Sequence, residues 1–386
     1  MIPAKRAHLH VTAATHPGMK GKSNEDRFAV SAHRLGPKDA TPSVVAIIAD
    51  GIGGHRAGEV AAEMAVEVIS HAIAESNAAQ PTAILRQALT QASQMILNQS
   101  RSDPAQAGMG TTCVCAWIIG DRLYAATAGD SRLYLIRGKG IQCLTTDHTW
   151  VQEALEHGAL TTEQARDHPN SHIIRRYLGS KHGVKPDLRL RMNPSETNEQ
   201  AEANQGMHLL PGDCLLLCSD GLTDLVEDDE ILAALQVNGR EQALASMIDL
   251  ANTRGGHDNI TIVSLEMPAS ETTWKSHPLP DQSQIAKKTS PSGLARHRTV
   301  LSCMIITAMT AAALLLAAGL IWYLTRPTPT LPTPTQPAIT WTAPTPLPTF
   351  TPPPSATLAP SSTSTPRAVP SRTYTPWPTN TITPTP

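Results

Sequence analysis

Two short runs of apolar residues, each of strand length, end at the same dipeptide. Residues 44–49 read VVAIIA and stop at Asp50-Gly51; residues 214–219 read CLLLCS and stop at Asp220-Gly221. A run of this length and character predicts a buried strand, and the Asp-Gly after it predicts a tight corner where a carboxylate surfaces. Glycines 51, 53 and 54 let the backbone turn and come close to whatever that carboxylate holds. From Ala57, apolar Val60, Met64, Val68 and Ile69 recur among alanines and predict a helix, while Thr223, Asp224 and Glu227 lead from the second corner into another. One such corner is explained as a turn, since Asp and Gly are good turn formers. Its return 170 residues later asks for a further reason.

Four other stretches share the character of a strand end rich in polar residues. Residues 20–28, KGKSNEDRF, set two lysines and an Asn-Glu-Asp triplet before apolar Ala29 and Val30. Residues 108–112, GMGTT, open a strand over 113–119, and in residues 123–136, LYAATAGDSRLYLI, two strand-like runs flank Gly129-Asp130-Ser131-Arg132, which taken alone reads as a hairpin turn. Thr146-Asp147-His148 precedes a helical pattern running to Leu155, with Arg175-Arg176 further on. In residues 255–262, GGHDNITI, Asp258-Asn259 opens a last strand over 260–265.

Taken together, Asp50, Asp130, Asp220 and Asp258 are carboxylates at strand ends near glycine, and a sheet can gather strand ends from distant positions onto one edge. Several ionised carboxylates on one edge repel each other and are costly to bury unpaired, so a cation is expected between them. Oxygen ligands with no Cys or His cluster select hard ions, Mg²⁺ or Mn²⁺, over zinc or copper. Two such ions bridged by one carboxylate would activate a water and clamp a phosphoryl group for in-line displacement.

Composition divides the chain of 386 residues in three. Residues 1–267 have globular composition, ample for one large core, and 268–299 form a polar basic linker with Lys287, Lys288, Arg296 and Arg298. Residues 300–324 carry no charge, and at about 1.5 Å per residue they suffice for a helix crossing roughly 30 Å of hydrocarbon. Cations crowd before this run and Arg326 stands alone after it, so positive-inside bias puts the N-terminal domain in the cytoplasm of a single-pass cell-membrane protein. Residues 325–386 are Pro, Thr and Ser in TPTP-like repeats that cannot form a core and predict a disordered extracytoplasmic tail. The N-terminus lacks the apolar region of a signal peptide. Cys113, Cys115, Cys143, Cys214 and Cys218 fall in apolar runs without metal-ligand spacing and read as reduced core residues. Net charge is −2, and no basic stripe with interleaved aromatics points to nucleic acid.

The ordered series SNED, ADGIGGHRAGE, GMGTT, AGDSRLY, DH, LLPGD, LLCSDGLTD and GGHDNITIV resembles the motifs of the metal-dependent PPM family of protein serine/threonine phosphatases, the 2C type, over roughly residues 8–267. The resemblance implies an α+β, four-layer α/β/β/α sandwich of two antiparallel sheets flanked by helices, with a binuclear Mn²⁺ or Mg²⁺ site at one end. By motif position, Asp50 is similar to the bridging ligand, Gly51 offers its carbonyl, and Asp220 and Asp258 complete the first metal's shell. Glu25 and Asp26 match the acidic pair approaching the second metal, and Asp130 resembles the carboxylate of a third, weaker site. Asn259 and Ser219 would orient these carboxylates. In this reading a metal-bridging hydroxide attacks phosphorus directly, the substrates are phosphorylated proteins, and a membrane Ser/Thr kinase is the natural counterpart.

Two departures from the family pattern stand out. Where many members place an arginine for the substrate phosphate, the candidates are Lys20 and Lys22, point charges without a bidentate fork. Ile52 stands where animal members place a histidine as proposed general acid, and nearby His55 reads as structural. The chain therefore also fits a catalytically silent phosphoprotein-binding sensor on the same fold, or a wall-anchoring protein whose tail is the working part. The segment 161–185 is expected near the site as a flap.

Overall fold

The structure is a computed structural model that describes residues 1–21, 23–53, 56–166, 168–237, 239–269 and 277–279. Contacts divide the chain into Met1–His297 and Arg298–Pro386, and the second unit lies outside the described residues. The apolar run 300–324, the proline-rich tail, Lys22, Gly54 and His55 therefore lie outside them too. Among the described residues no helix is long and apolar enough to cross a membrane.

In chain order the elements are strands β1 (Ile2–Ala4), β2 (Arg6–Ala7), β3 (His10–His16), β4 (Arg27–Arg34), β5 (Pro42–Ala49) and β6 (Gly51–Ile52), then helices α1 (Arg56–Glu75) and α2 (Pro81–Ser102). Next come β7 (Gly110–Thr111), β8 (Cys113–Ile119), β9 (Arg122–Ala128), β10 (Arg132–Arg137) and β11 (Gly140–Cys143), followed by α3 (Trp150–Glu156), α4 (Thr162–Arg166) and α5 (Asn198–Ala203). The rest are β12 (Met207–His208), β13 (Cys214–Cys218), α6 (Asp220–Thr223), α7 (Asp228–Val237), α8 (Arg240–Thr253), β14 (Ile260–Glu266) and β15 (His277–Pro278).

Two antiparallel sheets make the frame: one in the order β1-β4-β5-β8-β9-β12, the other β11-β10-β13-β14-β3. The alternation of strand side chains shows why the central runs are apolar throughout. In β5, Val44, Ala46 and Ile48 face the layer between the sheets, while Val45, Ile47 and Ala49 face α1 and α2. In β13, Leu215 and Leu217 face the same middle layer, while Cys214, Leu216 and Cys218 face α7 and α8. A strand covered on both faces has no side on which to place polar residues. The result is helices, sheet, sheet and helices, as the motif resemblance implied.

The cysteines sit inside these layers. Cys113 and Cys115 share the α1/α2 side of β8, and burial pushes the Cys113 thiol up to about 12 and that of Cys115 well above its ordinary value. Both stay protonated and serve as small apolar packing groups.

Gly129-Asp130-Ser131-Arg132 differs from the hairpin its local pattern predicts. It joins β9 of the first sheet to β10 of the second, so the turn crosses between layers at the sandwich end. The two flanking strands never pair, because each finds better partners elsewhere: β9 in β8, β10 in β13.

Candidate active site

Strand register gathers the acidic residues. Ala49 lies opposite Arg27, Ile48 opposite Val114, and Cys113 opposite Ala128, so Glu25-Asp26, Asp50, Thr112 and Asp130 all lie just beyond the same end of the first sheet. In the second sheet Arg132 lies opposite Cys218, Cys218 opposite Ile262, and Ile260 opposite His16, which brings Asp220 and Asp258 to that end as well. Six acidic residues from five separate stretches thus meet at one edge.

The corner after β5 is fastened through its backbone. The Asp50 carbonyl accepts from the Thr112 amide at 2.8 Å and from the Thr111 hydroxyl at 2.7 Å, and the Asp50 amide donates to Thr112 Oγ1 at 3.1 Å. Thr112 Oγ1 in turn lies 2.8 Å from Ser131 Oγ, linking this corner to the turn that carries Asp130. A Cβ on Gly51 would come 2.4 Å from the backbone of Gly58 in α1, and a Cβ on Gly58 would come 2.1 Å from Glu25 Oε2. Only a glycine pair lets the start of α1 close over Asp50 and Glu25.

The second corner is held by its neighbours in β14. Ser219 Oγ donates to Asp26 Oδ2 at 2.8 Å and accepts from the Thr261 amide at 3.0 Å. Asn259 Oδ1 accepts from the Glu25 amide at 2.7 Å, while its Nδ2 donates to the Pro17 and Ser23 carbonyls. A Cβ on Gly221 would meet the Asn259 carbonyl oxygen at 2.1 Å.

The electrostatics are those of crowded carboxylates. Burial first, then the charges of Asp26, Asp220 and Asp130, hold Asp50 well above the usual carboxylate range. Burial and the charges of Asp130 and Asp224 do the same to Asp220, so both carboxyls are pushed towards their protonated forms. Burial raises Asp26 to about 6 against the hydrogen bonds of Thr261 and Ser219, and burial with the charge of Asp147 raises Asp130 to about 7. Buried Oδ1 atoms of Asp26, Asp130 and Asp220 have no hydrogen-bond partner. Among the described residues no three His, Cys, Asp or Glu side chains are grouped closely enough to hold a metal ion. Protonation is how crowded carboxyls settle without a counter-ion, and unpartnered carboxylate oxygens are the donor type a hard cation takes.

Several contributors carried no assigned role in the motif pattern. Arg27 forms an ion pair with Glu59 of α1, donates to the Asn24 and Asp26 carbonyls, and opposes the rise of the Asp26 pKa. Lys20 is exposed on the loop after β3 and forms no ion pair with the carboxylates. Buried His148 accepts from the Gly129 amide at Nδ1 (3.0 Å), sets Nε2 3.0 Å from Asp187 Oδ2, and accepts the Arg175 amide at its carbonyl. Burial works against the Asp187 carboxylate, yet hydrogen bonds from His148 and Arg189 hold it well below the usual range. Beside Asp130 and Asp220 opens a groove of about 820 Å³, walled on one side by Thr162, His168 and His172 of the segment 161–185. His172 reaches Asp224 across it at 3.5 Å.

The family model for protein phosphatase 2C matches residues 17–259. The chain belongs to the protein phosphatase 2C family. A serine/threonine phosphatase of Listeria welshimeri is 35% identical over 266 residues, covering 67% of this chain and 96% of that protein. The Mycobacterium tuberculosis serine/threonine protein phosphatase PstP is 34% identical over 255 residues, covering 66% of this chain, and the match spans only 44% of PstP. Among solved structures, the S. agalactiae serine/threonine phosphatase aligns with a TM-score of 0.57 at 30% identity over 67% of this chain and 98% of that one. The catalytic domain of PstP, solved in complex with two manganese ions, aligns with a TM-score of 0.54 at 32% identity over 67% of this chain and 97% of that one. The family match over residues 17–259 takes in Glu25, Asp26, Asp50, Asp130, Asp220 and Asp258.

Proposed function

We propose that this chain hydrolyses phosphoserine and phosphothreonine in proteins with the help of Mn²⁺ or Mg²⁺. The observation that carries the reading is the meeting of six acidic residues at one sandwich end, with Asp50 and Asp220 raised well above the usual carboxylate range and three buried carboxylate oxygens left unbonded. In this reading Asp50, the Gly51 carbonyl, Asp220 and Asp258 hold one ion, Glu25 and Asp26 approach a second, and Asp130 faces a third. A bound ion pair supplies Lewis-acid activation of water and neutralises phosphoryl charge.

The remaining work falls to the chain itself. Ser219 orients Asp26, Asn259 fixes the Glu25 backbone, and Thr112 ties the Asp50 corner to the Asp130 turn. The groove beside 161–185, of about 820 Å³, is lined by Asp130 and Asp220 and is the place proposed for the phosphorylated side chain. Phosphate recognition by Lys20 or Lys22, the membrane span over 300–324, a cytoplasmic site, and a kinase counterpart belong to the same proposal.

Turnover of p-nitrophenyl phosphate and of a phosphothreonine peptide, each with and without Mn²⁺, tests it. Metal-dependent release of phosphate from both is expected. Peptide binding without turnover in any metal would replace the enzyme with a phosphoprotein sensor.

A further inference from the structure

At the end of the sandwich opposite the carboxylates lies a second cavity, of about 870 Å³. Its rim carries Lys5, Arg6 and Arg34, its wall His33 and Ser43, and among the described residues no acidic one lines it. The three cations are exposed, whereas His33 is 6% exposed and its Nδ1 has no hydrogen-bond partner. β5 starts beside this cavity at Pro42 and ends beside Asp50, so at about 3.3 Å per residue the two sites stand some 20–25 Å apart.

Where the chain leaves the domain bears on what fits here. β15 (His277–Pro278) pairs with β2, placing Pro278 opposite Arg6, so the polypeptide departs beside the cavity rim. The 21 residues between Pro278 and Val300 reach at most about 70 Å fully extended, and they add Lys287, Lys288, Arg296 and Arg298 against the single acid Asp281. Among the described residues the cavity lining contains no Phe, Tyr or Trp on which bases could stack.

We propose that this cavity seats the phosphate groups of anionic lipids, so that the domain rests on the membrane by its basic end and turns its carboxylate end away. The proposal rests on the membrane reading of 300–324. The rim cations supply charge-assisted hydrogen bonds to a phosphodiester. The short tether keeps the local lipid concentration high, so each contact need only be weak.

The test uses the full chain in bilayer discs of phosphatidylcholine, alone or mixed with phosphatidylglycerol, and reads amide exchange over residues 1–8 and 33–43. Exchange about tenfold slower in the anionic discs is expected. The K5E/R6E/R34E variant should lose that protection while hydrolysing p-nitrophenyl phosphate in detergent at the unaltered rate. Equal exchange in both discs, or protection retained by the variant, overturns the proposal. Full protection by free glycerol phosphate in phosphatidylcholine discs makes the cavity a soluble-anion site and overturns lipid docking. A chain that fails to stay with the discs overturns the membrane reading itself, which is a separate outcome from a retained chain with an unprotected cavity.

Discussion

The two Asp-Gly corners look alike in sequence and are built differently. After β5 the chain stays extended through β6, and Asp50 is pinned through its own amide and carbonyl by Thr111 and Thr112. After β13 the chain turns at once into α6, and the corner is held through the Ser219 side chain and its bonds to Asp26 and Thr261. The glycines serve different contacts too: Gly51 admits the α1 backbone, while Gly221 admits the Asn259 carbonyl. What the corners share is the aspartate at the end of a strand covered on both faces. The strand sets where the carboxylate stands, and the local packing decides which residue must follow it.

That contrast can be broken at several levels. The largest effect is expected from Asp50→Asn and Asp220→Asn, each of which should bring Mn²⁺-dependent phosphopeptide turnover to background with an unchanged circular dichroism spectrum, since each carboxylate is a proposed ligand. Near-normal turnover in either variant would remove that residue from the ligand set.

Gly51→Ala and Gly221→Ala come next, because both added methyls meet backbone that cannot swing away. Each should cost about 1–3 kcal/mol and lower the thermal midpoint by several degrees. Gly221→Ala should also weaken Mn²⁺ binding measured by calorimetry, because Asn259 adjoins Asp258 and holds the Glu25 amide. If the variant binds Mn²⁺ normally, the two sides of the site are not coupled through that contact.

Thr112→Ala and Ser219→Ala should act more gently. Each removes a hydrogen bond that orients a proposed ligand or its backbone, and a 10- to 100-fold loss of Mn²⁺ affinity is the typical scale. Ser219→Ala is expected to exceed Thr112→Ala, since Ser219 touches the Asp26 carboxylate directly whereas Asp50 keeps two other backbone bonds. The reverse order would contradict the difference drawn between the corners.

The remaining effect concerns pH. Asp26 and Asp130 have folded pKa values raised from 3.8 to about 6 and about 7, so between those limits the folded chain binds more protons than the unfolded one. The stability they cost is absent below pH 4 and grows as pH rises towards 7. A chelator-treated sample should therefore melt lower at pH 8 than at pH 5, and saturating Mn²⁺ should narrow the gap. A midpoint that rises with pH in chelator would refute the assignment of these two carboxylates as buried and unpaired.

Much of this was legible in the residues before any coordinates. The strands over 44–49 and 214–218 and the aspartates that end them follow from apolar runs and turn chemistry, which are local properties. What stayed hidden was set by partners distant in sequence. Gly58 reads as one more small residue in an alanine-rich helix, and only its approach to Gly51 and Glu25 shows why a side chain fails there. The turn at Asp130 reads locally as a hairpin, because nothing in ten residues tells that its strands belong to different sheets. Arg27 had the same fate: it follows the acidic triplet, but its ion pair with Glu59 depends on how α1 lies across β4.

The central claim is that Asp50 and Asp220, both pushed towards their protonated forms by burial and neighbouring carboxylates, give up protons when a hard cation binds. Calorimetric titration of the full chain with Mn²⁺ at pH 7, repeated in buffers of different ionisation enthalpy, measures binding and proton release together. The account predicts tight Mn²⁺ binding with net proton release, both lost in Asp50→Asn and Asp220→Asn. Manganese binding that releases no proton, or that survives both substitutions, would contradict it.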